Sequence, residues 1–288
     1  MAYVLFVNGS GFESSSSPYE VVAGVIVEDR DLWNFVQAVL DAKIKHLSTS
    51  ALGLRLTARR LLKRKVFRLA RQLPPLPLEE RHALARACLE AGERAGKREM
   101  TALAQSKLAY VGEVLEVCAR FRCRFVASIV PNRVVRPAPG YLRKDYAYLF
   151  ERFSFFLEDQ KPLESGFVLC TARDTSTRAL LSDQMQRYFK NTVRGRQRAS
   201  LILPDPLTVD GDLAVLGEVA GLVAYITAWG FRTRELTEPA RHELLDFKEQ
   251  VRALRYRAVR EIGDNTNFVI WGFTVVSDLR TREEREQG

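Results

Sequence analysis

The sequence predicts an α/β fold, a mixed sheet flanked by helices, and three observations predict it. Two β-branched and aromatic runs open the chain, at 3–7 (YVLFV) and 20–27 (EVVAGVIV), joined by the turn-forming segment GSGFESSSSP. Apolar runs of strand length recur at 124–130, 166–171, 199–203 and 268–276. Between them lie segments whose apolar residues keep helical spacing.

Taken in order, the first two runs read as adjacent strands. Leu32, Phe35, Val36, Val39, Leu40 and Ile44 then form one apolar face of a helix over 30–47. Leu62, Val66, Leu69 and Leu73 predict a second helix over 54–73. Its other faces carry Arg55, Arg59, Arg60, Lys63, Arg64, Lys65, Arg68 and Arg71, with no acid among them. The prolines of PPLP at 74–77 stop it, because proline lacks the N–H donor and clashes with the preceding turn. One or two further helices fill 78–119, and a strand follows at 124–130.

The helix expected over 141–158 is rich in aromatics. Tyr146, Leu149, Phe153 and Phe156 keep helical spacing, so this run reads as core in preference to a base-stacking surface. A buried strand at 166–171, a helix at 175–191 and a strand at 199–203 come next. A small-residue helix spans 212–230, where Gly217 and Gly221 permit close packing against the sheet. A charged helix over 238–260, a last apolar run at 268–276 and a charged tail complete the reading. The expected domain is 1–235, with 54–119 as a helical insertion, and 236–288 packs on it as an extension.

Composition sets the class. The chain has 288 residues, 47% of them hydrophobic and 27% charged, which suits a folded globular protein. Lys and Arg number 44 against 35 Asp and Glu, and a net charge of +9 favours an anionic partner. Cys88, Cys118, Cys123 and Cys170 form no C-x-x-C pair, so free buried thiols in a reducing cytoplasm are expected. The apolar start lacks the basic flank of a signal peptide. The stretch from Leu213 to Trp229 contains Glu218 and is short for a membrane span, so it reads as a buried helix. A soluble, cytoplasmic protein with no membrane partner is therefore expected.

Five segments carry a resemblance: YVLFVNGSG at 3–11, VVAGVIVEDRDLW at 21–33, YLFERFSFFLE at 148–158, GFVLC at 166–170 and GEVAGLVAYITAWGFR at 217–232. In this order they resemble the bacterial family known as domain of unknown function 3800, whose members look like the ribonuclease H superfamily. The resemblance implies a ribonuclease H-like mixed sheet and, in the family, metal-dependent acidic chemistry. This chain departs from that pattern at each acidic position. The family's Asp-Glu-Ser-Gly is Asn8-Gly9-Ser10-Gly11 here, and its Ala-Asp-Leu is Ala220-Gly221-Leu222. The later strand runs into Thr171-Ala172, with Asp174 the nearest acid, and a Glu-x-His-like stretch is replaced by Ser50 to Leu54.

Mg²⁺ needs charged oxygen ligands, so these losses predict a degenerate site at Asn8, Ser10, Asp174, Glu218 and Gly221. No cofactor is expected. Mg²⁺ enters only under an alternative in which displaced acids, Glu13, Asp174 and Glu218, rebuild a cluster; Asp205, Asp210 and Asp212 are further loop acids. No histidine motif for metal or nucleophile activation links His46, His82 and His242.

The expected function is non-catalytic nucleic-acid binding, of DNA or RNA, as a subunit of a nucleoprotein or, by the resemblance, defence-related complex. The candidate contacts are Arg55, Arg59, Arg60, Lys63, Arg64, Arg68, Arg194 and Arg196. Further cations cluster at Arg187, Lys190 and Arg198, and at Arg133, Arg136, Arg143 and Lys144. Two alternatives stay open. One is a protein-interaction or scaffold subunit using 268–276 or the helical insertion. The other is a metal-dependent nuclease with the displaced carboxylate site.

Overall fold

The computed structural model describes all residues except 13–16, 18, 132–133, 139, 171–174, 208–210, 232–240, 263–264, 281–284 and 286–288. Strands β1 (Ala2–Ser10), β2 (Tyr19–Glu28) and β3 (Arg124–Pro131) form an antiparallel meander. Strand β4 (Ser165–Cys170) returns parallel beside β1, with Val7 opposite Cys170. Isolated bridges add Ile202 and Leu207, also parallel, along the far side of β4. The α/β class and the mixed sheet flanked by helices stand as the sequence predicts.

Alternation along the strands distributes the core over both sheet faces. Val4, Phe6, Val21, Ala23, Val25, Phe125 and Ala127 face one helical layer. That layer comprises α1 (Leu32–Leu47), α5 (Lys97–Arg120), α9 (Ala214–Gly230) and α10 (Leu245–Ala253). Leu5, Val7, Val22, Ile26, Val126 and Val168 face the other, made by α6 (Lys144–Glu158) and α7 (Thr175–Asn191), with α8 (Val193–Arg198) beside them. Because both faces are covered, β2 is apolar almost throughout and buried over nine of its ten residues. The aromatics Phe150, Phe153 and Phe156 of α6 are core, in agreement with their spacing.

Three expectations need correction. The helix predicted over 54–73 is two short helices, α2 (Ala58–Leu62) and α3 (Arg64–Ala70), separated by Lys63 in an extended conformation (ψ 149°). Thr57 caps the first, its hydroxyl accepting the Arg60 N–H. The break turns Phe67 inward toward Phe247 (ring centroids 6.4 Å apart), while Leu69 and Leu73, core by periodicity, are only half-buried. Tertiary packing of an aromatic has overridden a local apolar spacing.

The charged helix expected over 238–260 is shorter, α10 alone, and 257–262 instead forms strand β5 (Arg257–Ile262). It pairs with β6 (Asn265–Trp271) in a separate two-stranded sheet. The single run at 268–276 is also divided: β6 belongs to that hairpin, and β7 (Phe273–Val275) joins the main sheet parallel to β3. Gly272 makes the switch. A Cβ there would sit 2.8 Å from the Phe125 carbonyl oxygen and 3.0 Å from that of Tyr256, so only glycine lets the backbones approach.

The region between α1 and β3 holds α2, α3, α4 (Leu78–Ala91) and α5, and α5 packs along α1. The residues expected as a strand at 199–203 contribute the bridge at Ile202, preceded by the unanticipated α8. All four cysteines are buried and free. Among the described residues no helix is long and apolar enough to cross a membrane, and the run from Leu213 to Trp229 lies, after its first residue, in α9, most of whose residues are buried.

Candidate nucleic-acid interface

Helix α9 crosses β1 and β2 with its small-residue face down. Gly217 and Gly221 lie one turn apart, over the end of β1. The Asn8 amide nitrogen donates to the Gly217 carbonyl (2.6 Å), and its oxygen accepts the Gly9 N–H (2.8 Å). A Cβ on Gly221 would sit 3.1 Å from the Asn8 nitrogen. Asn8 and Gly221 are thus neighbours, and the Asn8 amide joins strand to helix.

Glu218, the next candidate, is closed off. Its side chain is 8% exposed and faces Lys43, 3% exposed, at 3.4 Å. The other carboxylate oxygen accepts the Leu56 N–H at 2.8 Å, and the Lys43 ammonium also donates to the Leu54 carbonyl at 2.7 Å. Burial pushes the Glu218 carboxyl above its usual range, while Lys43, the Leu56 N–H and Arg55 pull it back. This buried pair fastens the segment leading into α2 to α1 and α9. Lys43 carried no signal in the sequence; it stood in a helix whose apolar face did not include it.

These residues floor a cleft of about 700 Å³. Asn8, Ser10, Glu218 and Gly221 line it together with Arg55, Arg59, Lys63 and Arg64. The four cations are exposed, and Arg64 alone has an ion-pair partner among the described residues, Glu243 at 3.8 Å. Glu218 is the one carboxylate among the described residues of the lining. Arg60 and Arg68 are exposed but lie outside the cleft. On that outer side Lys107 of α5 is held below the usual lysine range by burial and then by Lys63, with Arg60 adding to it.

Arg241, absent from the expected contacts, closes one wall at 6% exposure. Its guanidinium donates to the Tyr225 hydroxyl and the Leu62 carbonyl, both at 2.8 Å, and to Glu243 at 2.9 Å. It lies over the rings of Phe67, Tyr225 and Trp229 at 5.7 to 6.0 Å. A single arginine between Ala and His gives no pattern from which such a role is read.

Of the other basic clusters, Arg143 alone among the described residues approaches this cleft, with its guanidinium 5.1 Å from the centroid of the cleft-lining Phe12 ring. Arg194 and Arg196 sit on α8, on the opposite face of the sheet. Arg194 is 4.0 Å from Glu151, and Arg196 donates to the Lys190 carbonyl. Arg136 and Arg143 both pair with Glu20, and Arg143 also pairs with the buried Asp145 at 2.7 Å. Arg133 lies outside the described residues.

Of the displaced carboxylates Glu13, Asp174 and Glu218, the described residues include Glu218 alone. Asp210 also lies outside the described residues. Glu218 already shares its oxygens between an N–H and an ammonium. Asp205 accepts the Ser182 hydroxyl at 2.7 Å, and Asp212 is exposed. Among the described residues no three His, Cys, Asp or Glu side chains gather as a ligand set.

No protein-family model, no curated protein and no solved structure matches this chain.

Proposed function

We propose that this chain is a non-catalytic, ribonuclease H-like protein that binds nucleic acid through the cleft at the end of β1, as a subunit of a larger nucleoprotein complex. One observation carries the reading. Arg55, Arg59, Lys63 and Arg64 ring a single cleft whose one described carboxylate is neutralised from beneath by Lys43. Concave walls of one charge sign concentrate the field and attract polyanions. The fold reading is supported by the β1–β2–β3 meander with β4 returned parallel beside β1. The non-catalytic reading is supported by the amide at Asn8, the bare Gly221 and the engaged Glu218.

Titration of the protein into labelled single- and double-stranded DNA and RNA, at low and at physiological salt, tests the reading. Binding that weakens steeply with salt is expected, and absence of binding at low salt overturns it. Addition of Mg²⁺ or Mn²⁺ is expected to leave the strands uncut. Cleavage that Glu218→Ala abolishes would establish the nuclease alternative instead.

The protein-interaction reading has its own observation. The hairpin of β5 and β6 exposes Val259 (49%), Phe268 (44%) and Trp271 (43%). A chain that ignores nucleic acid but co-purifies with a partner released by Trp271→Ala would favour that reading.

A further inference from the structure

We infer that the cleft takes a single, unpaired strand, seating at least one nucleotide base against its aromatic wall while the rim cations hold the flanking phosphates. This rests on the nucleic-acid reading above and specifies its ligand.

The cations point to a concave ligand. An unbroken helix over 54–73 would present its arginines on a convex face suited to the outside of a duplex. The break at Lys63 instead brings Arg55, Arg59, Lys63 and Arg64 around one hollow and leaves Arg60 and Arg68 outside. A volume of about 700 Å³ lies in the range of clefts that take a small organic group. A duplex keeps its bases stacked inside and offers only phosphates and groove edges, so nothing of it fills such a hollow. An unpaired nucleotide does.

The wall has the right chemistry for a base. Phe12, Tyr225 and Trp229 line the same cleft as the cations. Phe12 is 39% exposed, a large apolar side chain left open at the end of β1. Contacts on the α6 side of the sheet hold it there: a Cβ on Gly9 would come within 2.0 Å of the ring, and the Arg143 guanidinium at the start of α6 is 5.1 Å from the ring centroid. Trp229 is half-buried, fixed beside Tyr225 (centroids 6.2 Å apart) and under Arg241. Aromatic faces beside cations are the pairing by which single strands are held without reading sequence.

Fluorescence anisotropy at physiological salt decides it, with labelled oligonucleotides carrying the same number of phosphates: a single strand, an abasic single strand of the same length, and a duplex of half that length. The base-bearing single strand is expected to bind about tenfold more tightly than its abasic counterpart, as one stacked base contributes. It is also expected to bind more tightly than the duplex. Phe12→Ala should narrow the difference between base-bearing and abasic strands while leaving the salt dependence intact, a result that mere loss of folding does not give; an unchanged difference would overturn the part of Phe12. Equal binding of abasic and base-bearing strands, or preference for the duplex, overturns the inference while leaving the nucleic-acid reading in place. Failure of every oligonucleotide to bind overturns that reading too. A mononucleotide is the last arm. Displacement of the oligonucleotide only at far higher concentration supports a strand. Displacement at the oligonucleotide's own affinity overturns the strand in favour of a free nucleotide.

Discussion

Replacing Arg55, Arg59, Lys63 and Arg64 together by alanine removes all four exposed cations that line the cleft. Each phosphate contact with a single strand contributes about 0.7 to the slope of log affinity against log salt. Among the described residues Arg55, Arg59 and Lys63 have no ion-pair partner, and Arg64 shares its charge with Glu243 at 3.8 Å. Three to four contacts are therefore at stake, and the slope should shrink by about 2 to 3. Between 50 and 200 mM salt that difference corresponds to about 20- to 50-fold of the wild-type loss in affinity, a loss the variant no longer shows. Equilibrium titrations at several salt concentrations read the slope directly. All four side chains are exposed, so unfolding stability should stay within about 0.5 kcal/mol per site, and circular dichroism checks it. Arg194→Ala with Arg196→Ala, on the far face of the sheet, supplies a control that should leave the slope unchanged. A quadruple variant with the wild-type slope would refute the assignment of phosphate contacts to this cleft.

Three other perturbations probe the floor beneath those cations. Lys43→Met leaves the Glu218 carboxylate buried opposite an apolar chain and should cost about 3–5 kcal/mol in urea unfolding. Adding Glu218→Gln, which keeps an acceptor for the Leu56 N–H, should recover most of that loss; no loss in the single variant would contradict a buried pair. Because the folded carboxyl of Glu218 lies above its usual range, its contribution to stability is full below pH 4.5 and declines as pH rises through the folded value. Glu218→Gln should therefore flatten the fall in Tm just above pH 4.5, and an unaltered Tm profile would count against the burial. Asn8→Asp sets a carboxylate oxygen against the Gly217 carbonyl that now accepts an N–H at 2.6 Å, and should destabilise the fold by about 1–3 kcal/mol. Unchanged thermal unfolding would mean that the amide does not join β1 to α9.

Much of this was written locally. The strands from β1 to β4, the helices α1, α6, α7 and α9, and the core role of the aromatics in α6 follow from period and residue type, because a buried face repeats along its own element. The acid-free run from Arg55 to Arg71 was equally legible, as was the loss of acids at Asn8 and Gly221. Only the tertiary structure decided what these features became. Phe67 found its partner Phe247 far along the chain, and that contact accompanies the break at Lys63 that directs the cations into a cleft. Glu218 looked like a spare ligand until Lys43, 175 residues away, was seen to face it. Arg194 and Arg196, indistinguishable by composition from the cleft arginines, fell on the opposite face because α8 packs beside α6. Local pattern specifies which face of an element is buried; what that face meets depends on residues distant in sequence, and charge pairing and cleft geometry belong to that second level.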